Sequence, residues 1–111
     1  LATEGTLKTE IYDKIFKKDY VLIKPLSNLQ TSSVNKTIKH VKMGNIKLAE
    51  KTIKPAIKYL IKQKCKKIIL GCTEIPIAIF AYKSLQNAKV SKLYLDPNLI
   101  LANSCMAKYK K

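Results

Sequence analysis

Six consecutive residues, Gly71-Cys72-Thr73-Glu74-Ile75-Pro76, bring a thiol, a hydroxyl and a carboxylate to a point where the chain pattern changes. The apolar run Ile68, Ile69, Leu70 stops there, and Pro76 suits the first position of a helix, whose N–H would have no partner. A cysteine so placed sits at the carboxyl end of a strand and faces the free N–H groups of a helix start. That setting favours thiolate over thiol and makes Cys72 a candidate for proton transfer or nucleophilic attack. Gly71 is expected to let the backbone turn sharply out of the strand. The plainer alternative is a buried packing cysteine. The flanking Gly, Thr, Glu and Pro favour the reactive one.

A second candidate is Thr3-Glu4-Gly5-Thr6, between a strand end and a helix start. Its N–H groups and hydroxyls suit a carboxylate or phosphate; the plain alternative is N-capping by Thr6. It is too short for a P-loop and lacks GxGxxG, which excludes nucleotide binding on this pattern. Glu74 is a candidate to cap the helix, orient the thiol or act as a base, with capping preferred. His40, the single imidazole, sits among lysines and reads as a surface residue rather than a partner of Cys72. Cys65 and Cys105 read as packing residues. Without a His–Cys pair a protease-like nucleophile is poorly supported. A thiolate base remains: it can take the α-proton of an amino acid if N–H donors offset the carboxylate charge in a dry site.

The bulk composition narrows the setting. With 111 residues, 47% hydrophobic and 26% charged, the chain reads as a single globular domain over 1–111. No apolar run is long enough for a membrane span, and no signal-peptide pattern opens the chain, so no membrane association is expected. Three cysteines without a CxxC pair indicate neither a disulfide framework nor a zinc site, and the expected compartment is the reducing cytoplasm. The opening Leu1-Ala2-Thr3 reads as the end of a strand whose beginning is missing, as in a fragment. A net charge of +15 raises the question of nucleic acid, but all 22 basic residues are lysine. Lysine lacks the bidentate fork of arginine, and these lysines are spread along every segment. No specific nucleic-acid site is expected; the charge is compositional or serves non-specific polyanion binding.

Hydrophobic spacing predicts helices over Thr6–Lys17, Val34–Met43, Ile46–Gln63 (bent or interrupted at Pro55) and Pro76–Leu85. Strands are predicted at Tyr20–Ile23, Lys67–Leu70 and Lys92–Leu95, and a loop at Ser27–Ser33. Asp96-Pro97 supplies an N-cap and a first-turn proline for a last helix. Alternating strands and helices predict an α/β fold, a parallel sheet with helices on both faces. In such sheets ligands collect beyond the carboxyl ends of the strands, where 2–6, 71–74 and 96–97 all fall.

Leu1-Ala2-Thr3-Glu4-Gly5-Thr6, the Gly71–Pro76 turn and Asp96-Pro97 with Leu101-Ala102 resemble, in order and spacing, the aspartate/glutamate racemase family. The chain is similar to the carboxyl-terminal half of a cofactor-independent aspartate racemase, and the likeness runs from end to end. The resemblance implies one lobe of a two-lobe fold, with an acidic amino acid bound between the lobes and no cofactor or metal. It implies Cys72 as a catalytic acid/base, Thr3, Thr6 and Thr73 near the α-carboxylate, and Lys42 near the side-chain carboxylate. The family's other cysteine lies in an Asn-Thr-Ala-His-type motif of the first lobe, and no such motif occurs here. The chain is therefore expected to need a first lobe or a homodimer partner, and alone to be a weak or inactive racemase. The alternative is a catalytically silent lobe kept as a binding module or a relic.

Overall fold

A computed structural model describes residues 1–16, 18–81 and 85–110. Its core is built on α5 (Ile46–Lys62), where Ala49, Ile53, Ala56, Ile57 and Leu60 recur at helical spacing and are all buried. Gly44, at φ +76, ends the preceding α4 (Lys36–Lys42), and the Asn45 side chain caps α5 by accepting from the Leu48 N–H at 3.4 Å. Pro55 does not interrupt α5. The buried Ser33 hydroxyl enters the ladder there, donating to the Thr52 carbonyl at 2.5 Å and accepting from the Ala56 N–H at 3.3 Å.

The sheet is small. Strand β1 (Ile68–Ile69) pairs in parallel with β2 (Tyr94–Leu95), in register Ile68 to Tyr94 and Ile69 to Leu95. Leu1 adds a rung on the other edge of β1: its amino group donates to the Ile69 carbonyl and its carbonyl accepts from the Gly71 N–H, both at 2.7 Å. Burial pushes the Leu1 ammonium pKa down to about 6. The expected α/β class thus holds in a coarse form, mostly helical with a short parallel sheet. The strands predicted at 67–70 and 92–95 are present but shorter.

Other segments depart from expectation for identifiable reasons. Tyr20–Ile23 is no strand: Val21, Leu22 and Ile23 form no backbone hydrogen bond among the described residues, and Val21 is 90% exposed. A cavity separates this run from β1, so it has no neighbour to pair with. Ser27–Ser33 is helical rather than loop, as α3 (Ser27–Leu29) followed by a π-helical turn, Gln30–Asn35. Its hydroxyls turn back onto the helix: Thr31 Oγ1 donates to the Ser27 carbonyl at 3.2 Å and Ser32 Oγ to that of Asn28 at 2.6 Å.

The predicted first helix is two, α1 (Glu4–Lys8) and α2 (Ile11–Phe16), broken where Glu10 takes φ 53; Lys17 lies outside the described residues. Helix α6 runs Glu74–Phe80, which puts Pro76 at its third position, still within the turn whose N–H groups lack helical partners. Of the predicted end of that helix, 82–84 lie outside the described residues. A short α7 (Ala88–Ser91), capped by Asn87, was not expected.

Helix α8 (Pro97–Tyr109) starts as predicted, with Asp96 Oδ1 accepting from the N–H groups of Asn98 and Leu99. It buries none of its residues, so Cys105 is exposed and not the packing residue predicted for it. Among the described residues no helix is long and apolar enough to cross a membrane.

Candidate active site

The Leu1 rung brings the two sequence motifs to one end of the sheet. Because Leu1 bonds to Ile69 and Gly71, the chain leaves the sheet at Ala2 beside Gly71. A Cβ on Gly71 would stand 3.1 Å from the Ala2 Cβ, 3.1 Å from Tyr12 Cε2 and 3.3 Å from the Leu1 oxygen. Gly71 is thus required by close approach and not, as the sequence reading had it, by a special backbone turn. Thr3 and Cys72 are the next residues along the two adjoining segments.

In the first turn Thr3, not Thr6, caps α1. Thr3 Oγ1 accepts from the Thr6 N–H at 3.2 Å and lies 3.0 Å from Thr6 Oγ1. The two hydroxyls therefore form one polar pair at the strand end. This turn is anchored by residues that local spacing could not flag. The buried Gln30 donates through Nε2 to the Ala2 carbonyl and to Asn35 Oδ1, both at 2.9 Å, and Asn35 Nδ2 donates to Glu4 Oε1 at 2.8 Å. The π-helical turn supplies both anchors, across a sequence separation of 28 residues for Gln30 to Ala2. The burial of Gln30 within a polar stretch marks it out, and that is visible in three dimensions alone.

In the second turn Cys72 is half-buried and packs partly against the core. The N–H groups of Glu74 and Ile75 point at its sulfur and pull its pKa down, but burial outweighs them and raises it, helped by the Glu74 carboxylate. The thiolate expected from the helix start is therefore corrected: the fold favours the protonated thiol. The Glu74 side chain accepts from Thr73 Oγ1 at 3.0 Å and makes no capping bond to α6, and its carboxylate beside Cys72 favours the protonated thiol.

The remaining candidates stand apart. Lys42 is exposed at the last position of α4 and has no side-chain hydrogen bond or ion pair among the described residues. His40 is half-exposed on the same helix, and Cys65 is half-buried just ahead of β1. A cavity of about 660 Å³ is lined by Thr6 and Gly71 at one end but not by Cys72, Thr3 or Thr73.

A family model described as Asp/Glu/Hydantoin racemase matches residues 1–105. The chain belongs to that family. Both turns and the start of α8 fall inside the matched span, so the racemase-family assignment covers every element that converges on the strand ends. It gives the chain a racemase-type, isomerase function. Comparison with curated proteins and with solved structures returns no match.

Proposed function

We propose that the chain is one lobe of a two-lobe, cofactor-independent racemase for acidic amino acids, and that it carries one of two proton-transfer sites. Cys72 is the acid/base on one face of the α-carbon. Thr3, Thr6 and Thr73 receive the α-carboxylate, and Lys42 receives the distal one. The observation that carries this reading is the Leu1 rung, which sets the Thr3–Thr6 pair and the Cys72 turn on adjoining strand ends.

In the step proposed, the Cα–H bond breaks, its proton passes to the Cys72 thiolate, and the electron pair spreads into the α-carboxylate. Hydroxyl and N–H donors at the two turns stabilise that charge. Return of the proton from the Cys72 thiol restores the starting configuration, and inversion requires a second acid on the opposite face. Since the fold favours the thiol, removal of the α-proton should speed up as pH rises toward the raised thiol pKa.

The test is incubation with L-aspartate in deuterated water, followed by proton NMR and chiral chromatography. Deuterium should enter at the α-carbon with retained configuration, and Cys72→Ala should abolish the exchange. Undiminished exchange in Cys72→Ala overturns the role of the thiol. One observation favours a second reading, a lobe that binds without catalysis: the large cavity does not include Cys72. Saturable aspartate binding with no α-deuteration would select it.

A further inference from the structure

Lysines that are spread along every segment of the sequence are gathered by the fold on one face of α5. Lys47, Lys51, Lys54, Lys58 and Lys62 follow one another at helical intervals, so they share an arc of about 80° around the helix axis. The row is about 22 Å long at ~1.5 Å per residue. It lies opposite the buried stripe of Ala49, Ile53, Ala56, Ile57 and Leu60. Lys47, Lys51, Lys58 and Lys62 are exposed and Lys54 is half-exposed.

Almost nothing in the fold opposes this charge. Lys54 is paired with Glu50 at 2.8 Å, and the other four have no ion pair or side-chain hydrogen bond among the described residues. Glu50 is the one acidic residue between Asp19 and Glu74. The adjoining α4 packs on α5 where Thr37 Oγ1 reaches the Ala49 carbonyl at 3.5 Å, and it adds the exposed Lys36 and Lys39. A solvated helix face is stabilised when opposite charges stand four residues apart. Here like charges meet at 47 and 51, 54 and 58, and 58 and 62, and Lys47 stands in the first turn, where the helix dipole disfavours a cation. An anionic occupant relieves both. Because α5 is fixed by the core and capped by Asn45, the row is held on a rigid backbone.

We propose that this face of α5 binds the phosphate backbone of duplex nucleic acid without reading its sequence. A duplex offers one negative charge every ~1.7 Å along its axis, so every lysine of the row has a phosphate in reach. Lysine meets a phosphate as a point charge on a flexible stem and lacks the fork that reads base edges. Single strands are held by stacking on aromatic side chains, and Tyr59, the one aromatic of α5, packs against the core. A helix lying on a membrane sinks its apolar face into the lipid, whereas the apolar face of α5 is spent on the protein core. None of these lysines belongs to the proposed racemase site, and binding on this face requires no racemase activity.

The probe is a fluorescent DNA duplex of about 20 base pairs, titrated with the 111-residue chain by anisotropy at about 50 to 200 mM salt. Four engaged lysines imply a slope of log K against log salt of about −4. Lys47→Gln, Lys51→Gln, Lys58→Gln and Lys62→Gln together keep helix propensity and should flatten the slope by about 3–4, with tenfold or greater loss of affinity at the lowest salt. Lys18→Gln, Lys89→Gln, Lys92→Gln and Lys108→Gln together give the same net charge and should leave the affinity within about threefold of wild type. On the isotopically labelled wild-type chain, the duplex should shift the amides of α5 and not those of α8, a readout that needs no variant to fold. Equal losses in the two variants overturn the proposal, since the net charge of +15 and not this face would then hold the duplex. No binding at the lowest salt overturns it, and so does tighter binding to phosphatidylserine vesicles than to the duplex, which would make a lipid surface the partner.

Discussion

The Gly71 N–H donates to the Leu1 carbonyl at 2.7 Å, and this bond joins the segment that leads to Thr3 with the segment that leads to Cys72. The contact leaves no room for a side chain. A Cβ at position 71 would press on Ala2, which is 3% exposed and held through its carbonyl by Gln30. Gly71→Ala should therefore destabilise the fold by about 1–3 kcal/mol, as overpacking does elsewhere. A lower urea midpoint with an unchanged slope checks this. An unchanged midpoint would mean that the Leu1 segment is free to move aside.

Cys72 and Glu74 make a pH-dependent pair. Burial raises the Cys72 thiol pKa and the Glu74 carboxylate raises it further. At neutral pH Cys72 should thus react with iodoacetamide more slowly than the exposed Cys105, an internal reference in the same sample. Glu74→Gln removes both the repulsion and the charged acceptor, so the thiol pKa should fall and alkylation at pH 7.5 should quicken severalfold. Peptide mass spectrometry across a pH series measures both. The sign for stability is the opposite of a carboxylate's: the folded thiol holds its proton more tightly than the unfolded one. Its contribution is complete below the ordinary thiol pKa and is lost as pH rises through the raised folded value.

Elements defined by local periodicity were legible in the sequence, and elements defined by a neighbour were not. The Ala49, Ile53, Ala56, Ile57, Leu60 stripe marks α5 wherever it packs, and Asp96-Pro97 carries its own cap. Tyr20–Ile23 has the composition of a strand, but a strand exists only with a partner, and here a slot lies in the partner's place. Ser27–Ser33 has the composition of a loop, yet its hydroxyls satisfy helical carbonyls once Gln30, Ser33 and Val34 are drawn into the core. The motif spacing singled out the turns that carry Cys72 and Thr3, and the Leu1 rung puts those turns on adjoining strand ends. The spacing did not predict the protonation of Cys72, because that depends on burial and on Glu74, both set by packing.

Helix α8 supports a prediction that separates local from global stability. Asp96 Oδ1 accepts from the N–H groups of Asn98 and Leu99, at 3.0 and 3.4 Å, and α8 buries no residue. Loss of an N-cap costs about 0.5–2 kcal/mol of helix stability, and a helix of this length is marginal without tertiary packing. Asp96→Ala should therefore fray α8, with faster amide exchange from Leu99 onward and a fall in helical circular dichroism. The midpoint of the cooperative unfolding of α4, α5 and α6 should stay in place. A matching drop in that midpoint would show that α8 is coupled to the core.

Ser33 and Pro55 are coupled through the α5 ladder. Proline lacks an N–H and its ring pushes against the carbonyl one turn earlier, which spreads the helix there. The Ser33 hydroxyl bonds to the ladder beside it, donating to the Thr52 carbonyl and accepting from the Ala56 N–H. Ser33→Ala removes both bonds at a site where Ser33 and Ala56 are buried, at a cost of about 1–3 kcal/mol. In a Pro55→Ala background the helix can close and Ala56 can donate directly to Thr52, so the same substitution should cost less. Urea denaturation of the wild-type chain, both single variants and the double variant gives the coupling, expected at about 0.5–3 kcal/mol. Additive costs would mean that Ser33 acts by filling space rather than by bridging the ladder.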